Sequence, residues 1–118
     1  MTTFNVISTS KTESHYEQVT QLDGRAFILN FNWIQRVGRW SLDVFTENRE
    51  PIALGQYLVA NSPVYKRIKD SRMWFGVMTV VSTSGVEPSL TNFFPDGDVF
   101  LCYIPIDTVL DLNESLGV

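Results

Sequence analysis

From Tyr16 onward apolar residues recur at every second position, and turn-forming residues interrupt them every 8 to 16 positions, the rhythm of strands with one buried face. The clearest case is Ala26 to Trp33. Phe27, Leu29, Phe31 and Trp33 share one face there, and Asn30 and Asn32 the other; a helix would scatter the same residues around its circumference. Asp23-Gly24 separates Glu17–Leu22 from Arg25–Phe31, and Asp-Gly suits the positive φ angles of a two-residue hairpin, so these runs are predicted to pair antiparallel. Arg39 to Thr46 repeats the layout after a turn at Gly38, with Trp40, Leu42 and Val44 on one side and Arg39, Ser41 and Asp43 on the other. Past the polar break Asn48–Pro51, Ile52 to Val59 predicts a fourth strand with a bulge or bend at Gly55. Asn61 to Asp70 loses the alternation and reads as irregular. Met73–Val81 and Val99–Ile104 are apolar on both sides, which predicts two central strands covered on both faces. Between them, Ser84 to Asp98 is a long connection punctuated by Gly85, Pro88, Pro95 and Gly97, with Phe93-Phe94 in its middle.

These elements predict an all-β fold, a small antiparallel β-sandwich or partly open β-barrel of about six to seven strands. Residues 16–105 form the β domain. Residues 1–15, rich in Ser, Thr and Asn, read as a flexible N-terminal arm, and residues 106–118 as a short C-terminal tail. In that tail Val109, Leu110, Leu112 and Leu116 alternate with Asp107, Asp111 and Glu114, a mixture that suits either a short helix packed on the sheet or an arm reaching a partner.

Composition narrows the class. With 118 residues, 44% hydrophobic and 13% aromatic, the chain can fill one core and has no room for a second domain. A charged fraction of 19% argues against intrinsic disorder. The longest mostly apolar run, 73–81, falls far short of the roughly 20 residues of a membrane-spanning helix, and Met1–Ser10 lacks the basic leader and apolar stretch of an export signal. A net charge of −4 disfavours general nucleic-acid binding. One Cys and one His leave no disulfide framework and no Cys/His zinc site within a single chain.

Little catalytic chemistry offers itself. His15 sits in the polar arm, and Cys102 alternates with Phe100 and Ile104 as a buried thiol would. Asp96 with Asp98, and Asp107 with Asp111, are the carboxylate pairs, the first in an ordinary Pro-Asp-Gly turn and the second on a solvated face if the tail is helical. Neither phosphate-cradling glycine motif occurs. No catalytic residue, cofactor or metal ligand is therefore assigned. Two features suit contact with another macromolecule. Lys66, Arg67, Lys69 and Arg72, beside Tyr65, gather four of the nine basic residues, fitting an acidic protein surface or a phosphate, or simply a solvated loop. Phe93 and Phe94 fit an exposed apolar contact or a plug at the end of a sandwich. Trp33 and Trp40 read as core; Trp74 is open.

The succession Gln18–Gly24, Phe27–Asn32, Gly38–Val44 and Gly55–Val59 resembles the small plug protein of contractile-tail phage baseplates, typified by cyanophage tails. Gly38-Arg39-Trp40-Ser41-Leu42-Asp43 carries most of the likeness, joined by the turn Ser82-Thr83-Ser84-Gly85 and by Phe94-Pro95-Asp96-Gly97-Asp98 leading into Val99–Ile104. It covers about Tyr16 to Ile104. The turn at Ile34–Val37 lacks the family's polar loop, and the arm and tail lie outside the match. The resemblance implies a non-enzymatic structural virion protein, made in the host cytoplasm and lodged in the tail baseplate as a plug or brace. Its expected partners are hub, tube and spike-region proteins, with homo-oligomerisation in the assembly left open and neither membrane nor sequence-specific nucleic acid among them. Candidate contact residues are Phe93, Phe94, Tyr65, Lys66, Arg67, Lys69 and Arg72. The alternative from the residues themselves is a free-standing ligand-binding β domain, with a sugar or small apolar ligand in a pocket lined by Trp74 or Phe93.

Overall fold

The computed structural model describes residues 5–10, 13–65 and 70–106. Its strands are β1 (Asn5–Val6), β2 (His15–Leu22), β3 (Arg25–Ile34), β4 (Arg39–Thr46), β5 (Pro51–Tyr57), β6 (Pro63–Val64), β7 (Val77–Ser82) and β8 (Val99–Ile104). Asp23 and Gly24 both take positive φ, 54° and 76°, closing the β2–β3 hairpin with Leu22 opposite Arg25 as a two-residue primed turn requires. The meander continues through β4 to β5, where Leu42 faces Gln56 but Val44 faces Ala53. One extra residue therefore sits on β5 there, and a second shift follows where Phe45 faces Pro51. Gly55 takes up the first at φ 79° and donates its N–H to Asp43 Oδ1 at 2.7 Å, so the bulge expected there is present.

Two four-stranded antiparallel sheets result, ordered β2-β3-β4-β5 and β1-β8-β7-β6, and one apolar core lies between them. The architecture is the small β-sandwich, not a closed barrel. Phe27, Leu29, Phe31, Trp40, Leu42 and Val44 face inward from the first sheet, and Met78, Val80, Val99, Leu101 and Tyr103 from the second. Rings carry much of the packing: Tyr16 stacks on Phe31 at 4.9 Å between centroids, and Trp74 meets Phe27, Tyr65 and Tyr103 edge-on.

Three expectations need correction. Residues 1–15 are not wholly a loose arm: β1 pairs with β8, Ile7 donates its N–H to Leu101 O at 2.8 Å, and Ile7 and Thr9 are buried. Ile7 gives that stretch an apolar side chain to bury, and β8 needs a partner on its open edge. Residues 1–4, 11 and 12 lie outside the described residues. Second, β7 starts at Val77, because Met73 and Trp74 tuck into the core as loop residues and the chain passes Tyr103 at Gly76. A Cβ at Gly76 would stand 2.1 Å from Ile104 O and 2.7 Å from Tyr103 Oη. Third, β7 and β8 are central in their sheet, but only their inner face is fully covered; on the outer face Val77 keeps 38% exposure. A two-layer sandwich covers one side of each sheet. The irregular stretch after Asn61 contains the two-residue β6, and the C-terminal tail beyond Ile106 lies outside the described residues.

Candidate docking surface

The strand directions gather the loops at two ends. At one end lie 35–38, 58–62 and the long connection 83–98; at the other lie the Asp23-Gly24 turn, the Glu47–Glu50 turn, residues 70–76 and the exit of the chain at Ile106.

The first end is closed. Phe93 keeps 1% of its exposure and lies 6.3 Å from the Phe31 ring and 6.0 Å from the Trp40 ring. Trp40 Nε1 donates to Ser89 O at 2.9 Å, Thr9 Oγ1 donates to Phe93 O, and Arg39 pairs with Glu87 at 3.1 Å. The two readings of Phe93-Phe94 thus separate. Phe93 plugs the sandwich and presents no ring to a partner, while Phe94 stays half-buried over the turn closed by Gly97 N–H to Phe94 O.

The second end is open and chemically mixed. Arg25 reaches across the sandwich to donate to Met73 O at 2.8 Å and Ser71 O at 3.2 Å, and its guanidinium lies 4.8 Å from the centroid of Phe75. Phe75 is 57% exposed. Sequence reasoning missed it by placing it inside a regular strand; Gly76 directly after it was the available signal of a break. Arg72 grips Asp70 through both carboxylate oxygens at 2.8 and 3.0 Å and also donates to Pro51 O. Those bonds pull the Asp70 carboxyl down to about 2. Arg72 is therefore tied into the loop. Lys66, Arg67 and Lys69 lie outside the described residues. Tyr65, at φ 51°, is buried: its hydroxyl donates to Leu42 O at 2.5 Å and accepts from Gln56 N–H, and burial pushes its pKa up to about 12. It links the two sheets and offers no surface to a partner.

Two clefts flank the 71–76 loop. One, of about 410 Å³, runs between Arg25, Phe27, the Glu47–Glu50 turn and Arg72; the other, of about 260 Å³, lies beside Pro63, Trp74, Phe75 and Val77. Among the described residues no three His, Cys, Asp or Glu side chains gather as metal ligands. His15 bonds Asn32 on the outer face of the first sheet, whereas Cys102 is buried on the outer face of the second, its thiol pushed up by burial. Opposite sheets separate the only imidazole from the only thiol, so they form no nucleophile–base pair.

Among the described residues the sandwich therefore has one end closed by its own loop and one end that is mixed apolar and charged. The sequence matches, over residues 4–107, the family described as the cyanophage baseplate Pam3 plug gp18. The chain belongs to this family. The match runs from just before β1 to just past Ile106, so it takes in the first strand that the shorter likeness, Tyr16 to Ile104, left out. As a baseplate plug protein it has a structural role in the virion tail baseplate, in association with other baseplate components. No curated protein matches the sequence.

Proposed function

We propose that this plug protein braces the baseplate by binding hub, tube and spike-region proteins through its open end, and that it catalyses nothing. The observation that carries the reading is the exposed Phe75 lying under Arg25, with a cleft of about 260 Å³ at its own side and one of about 410 Å³ lined by Arg25 and Arg72 on the other side of the loop. An exposed aromatic anchor under an Arg is the composition of a protein–protein contact, where a few such side chains supply most of the energy. Lys66, Arg67 and Lys69 then favour an acidic partner surface, and Phe94 remains a secondary contact at the opposite end. The chain is synthesised in the host cytoplasm and enters the virion on assembly. The ligand-binding alternative is less well supported, since Phe93 is core and the cleft beside Trp74, about 260 Å³, falls under the ~300 Å³ lower bound of ordinary small-molecule sites.

The test is co-expression of a tagged copy with its neighbouring tail proteins, followed by mass spectrometry of the purified complex. Tube, hub or spike chains in fixed ratio are expected. A soluble monomer recovered alone, whose tryptophan fluorescence responds to a sugar at micromolar concentration, would overturn the reading.

A further inference from the structure

The two open sheets end in edge strands, β2 and β5 in the first sheet and β1 and β6 in the second. Three of these edges are blunted. β1 and β6 are two residues long, β6 begins with a proline, and β5 begins with Pro51 and is interrupted by two register shifts. Short length, proline and bulges are what keep an edge from pairing with another chain. β2 has none of them. Its eight residues, His15–Leu22, run opposite β3 without a break in register and include no proline, glycine, lysine or arginine.

The register also says which backbone groups of β2 face away from β3. Ser14 O accepts the N–H of Trp33 at 2.8 Å, and the two-residue turn closes on Leu22 opposite Arg25, so the even-numbered residues exchange bonds with β3 and the odd-numbered ones direct N–H and C=O outward. Glu17, Val19 and Gln21, all exposed, therefore present a row of donors and acceptors along the edge. Among the described residues no backbone bond outside the β2–β3 ladder meets this row. The first strand passes it by, leaving a groove of about 310 Å³ between Asn5–Ser8 and Gln18–Leu22.

We propose that a second copy of this chain pairs there, β2 against β2, antiparallel about Val19, joining two four-stranded sheets into one of eight strands. A row of side chains that ends at the edge points to a copy rather than an unrelated strand. On the outer face Pro51, Phe45, Ile28 and Val19 stand opposite one another across four strands, and the apolar row stops at Val19, 69% exposed. A two-fold axis at Val19 sets this residue against its own copy and carries the row across both sheets. The same register opposes no like charges: Glu17 meets the copy's Gln21, Gln18 its Thr20 and His15 its Asp23. It adds roughly six backbone hydrogen bonds, two for each opposed pair of outward-facing residues. Moving the axis to Gln18 would set Val19 against Glu17 and break the apolar row.

Sedimentation velocity of the full chain across a concentration series is expected to show a monomer–dimer equilibrium. Val19→Lys, which opposes two ammonium groups at the axis, is expected to weaken it about tenfold or more. On mild oxidation Val19→Cys is expected to give a disulfide-linked dimer, whereas Gln21→Cys is not, because Gln21 lies four positions, roughly 13 Å, from its own copy. Cys102, 5% exposed, does not compete. A chain that stays monomeric at every concentration, a dimer that Val19→Lys leaves intact, or equal linking at 19 and 21 would each overturn the proposal. A monomer that instead binds a tail protein, and loses it on Val19→Lys, would overturn it in favour of that protein's strand.

Discussion

At the scale of single residues, Tyr103 does most to join the sheets. Its hydroxyl donates to Asp23 Oδ2 at 2.5 Å and accepts from Gly76 N–H at 2.8 Å, so one buried oxygen ties β8 to the β2–β3 turn and to the loop before β7. Tyr103→Phe leaves a part-buried N–H and a carboxylate short of a partner and is expected to cost about 1–3 kcal/mol, read from urea unfolding. Gly76→Ala drives a methyl into backbone, and is expected to cost about 1–3 kcal/mol or more; an unchanged midpoint for either variant would contradict this joint. The buried tyrosines also set an alkaline limit. Burial pushes Tyr16 and Tyr65 up to about 12, and pushes Tyr103 up as well, with the hydrogen bond to Asp23 adding to the rise. Unfolded tyrosine releases its proton near 10, so above that pH the unfolded chain binds fewer protons than the folded one. The stabilisation is therefore full below about pH 10 and lost as pH climbs through about 12, at up to ~1.4 kcal/mol per pH unit for each residue. Denaturant midpoints measured across that window should fall steeply, and Tyr65→Phe should flatten the slope.

At the scale of elements, the long connection 83–98 behaves as part of the core. Phe93→Ala should cost about 3–5 kcal/mol, the usual loss for a fully buried aromatic, whereas Phe94→Ala should cost about 1 kcal/mol or less because its ring is half in water. Thermal unfolding of the two variants distinguishes plug from surface; similar losses would reject the assignment. The same pair shows how far the sequence could be read. Strands β2 to β4 were legible because each turns its large apolar side chains to one face and the turns between them use residues with special φ, such as Gly24 and Gly38. Phe93 was ambiguous and Phe75 invisible for one reason: a loop has no periodicity, so whether its aromatic turns in or out is decided by which cavity the distant sheets leave open. The space between Phe31 and Trp40 takes Phe93, and no stretch of neighbouring sequence encodes that space. Short β1 was equally hidden, since two residues are too few to show an alternation and the pairing is with β8, nearly a hundred positions away.

At the scale of the whole molecule, what matters is how its surfaces divide the work. The β2–β5 sheet turns a mixed face outward, His15, Glu17, Asn30, Asn32 and Asp43 beside Val19, Ile28 and Phe45, crossed by the Arg49–Glu17 pair at 2.7 Å, both partners substantially exposed; such a pair contributes little stability but keeps its part of the face wet. The 83–98 end is closed by its own loop. The Phe75 end carries an exposed aromatic ring, the guanidinium groups of Arg25 and Arg72 and a cleft on each side of the 71–76 loop. Because Phe75 is more than half exposed, Phe75→Ser should leave the melting temperature almost unchanged while removing an anchor from any contact made there, for which losses of 1–2 kcal/mol or more, roughly five- to thirtyfold in affinity, are ordinary. Reversing Lys66 and Arg67 to Glu should add to that loss, and chiefly at low salt, because attraction between charges in water acts over about a Debye length. Val19→Lys, at a position 69% exposed on the outer sheet face, should change neither the stability of the monomer nor the binding of baseplate partners. Binding of the three variants to purified baseplate partners, measured at two ionic strengths beside their melting curves, separates a docking defect from a folding one. If Val19→Lys weakened that binding and Phe75→Ser did not, the plug would have to be turned over in its seat, with the outer face of the β2–β5 sheet against its neighbours and the Phe75 end toward solvent.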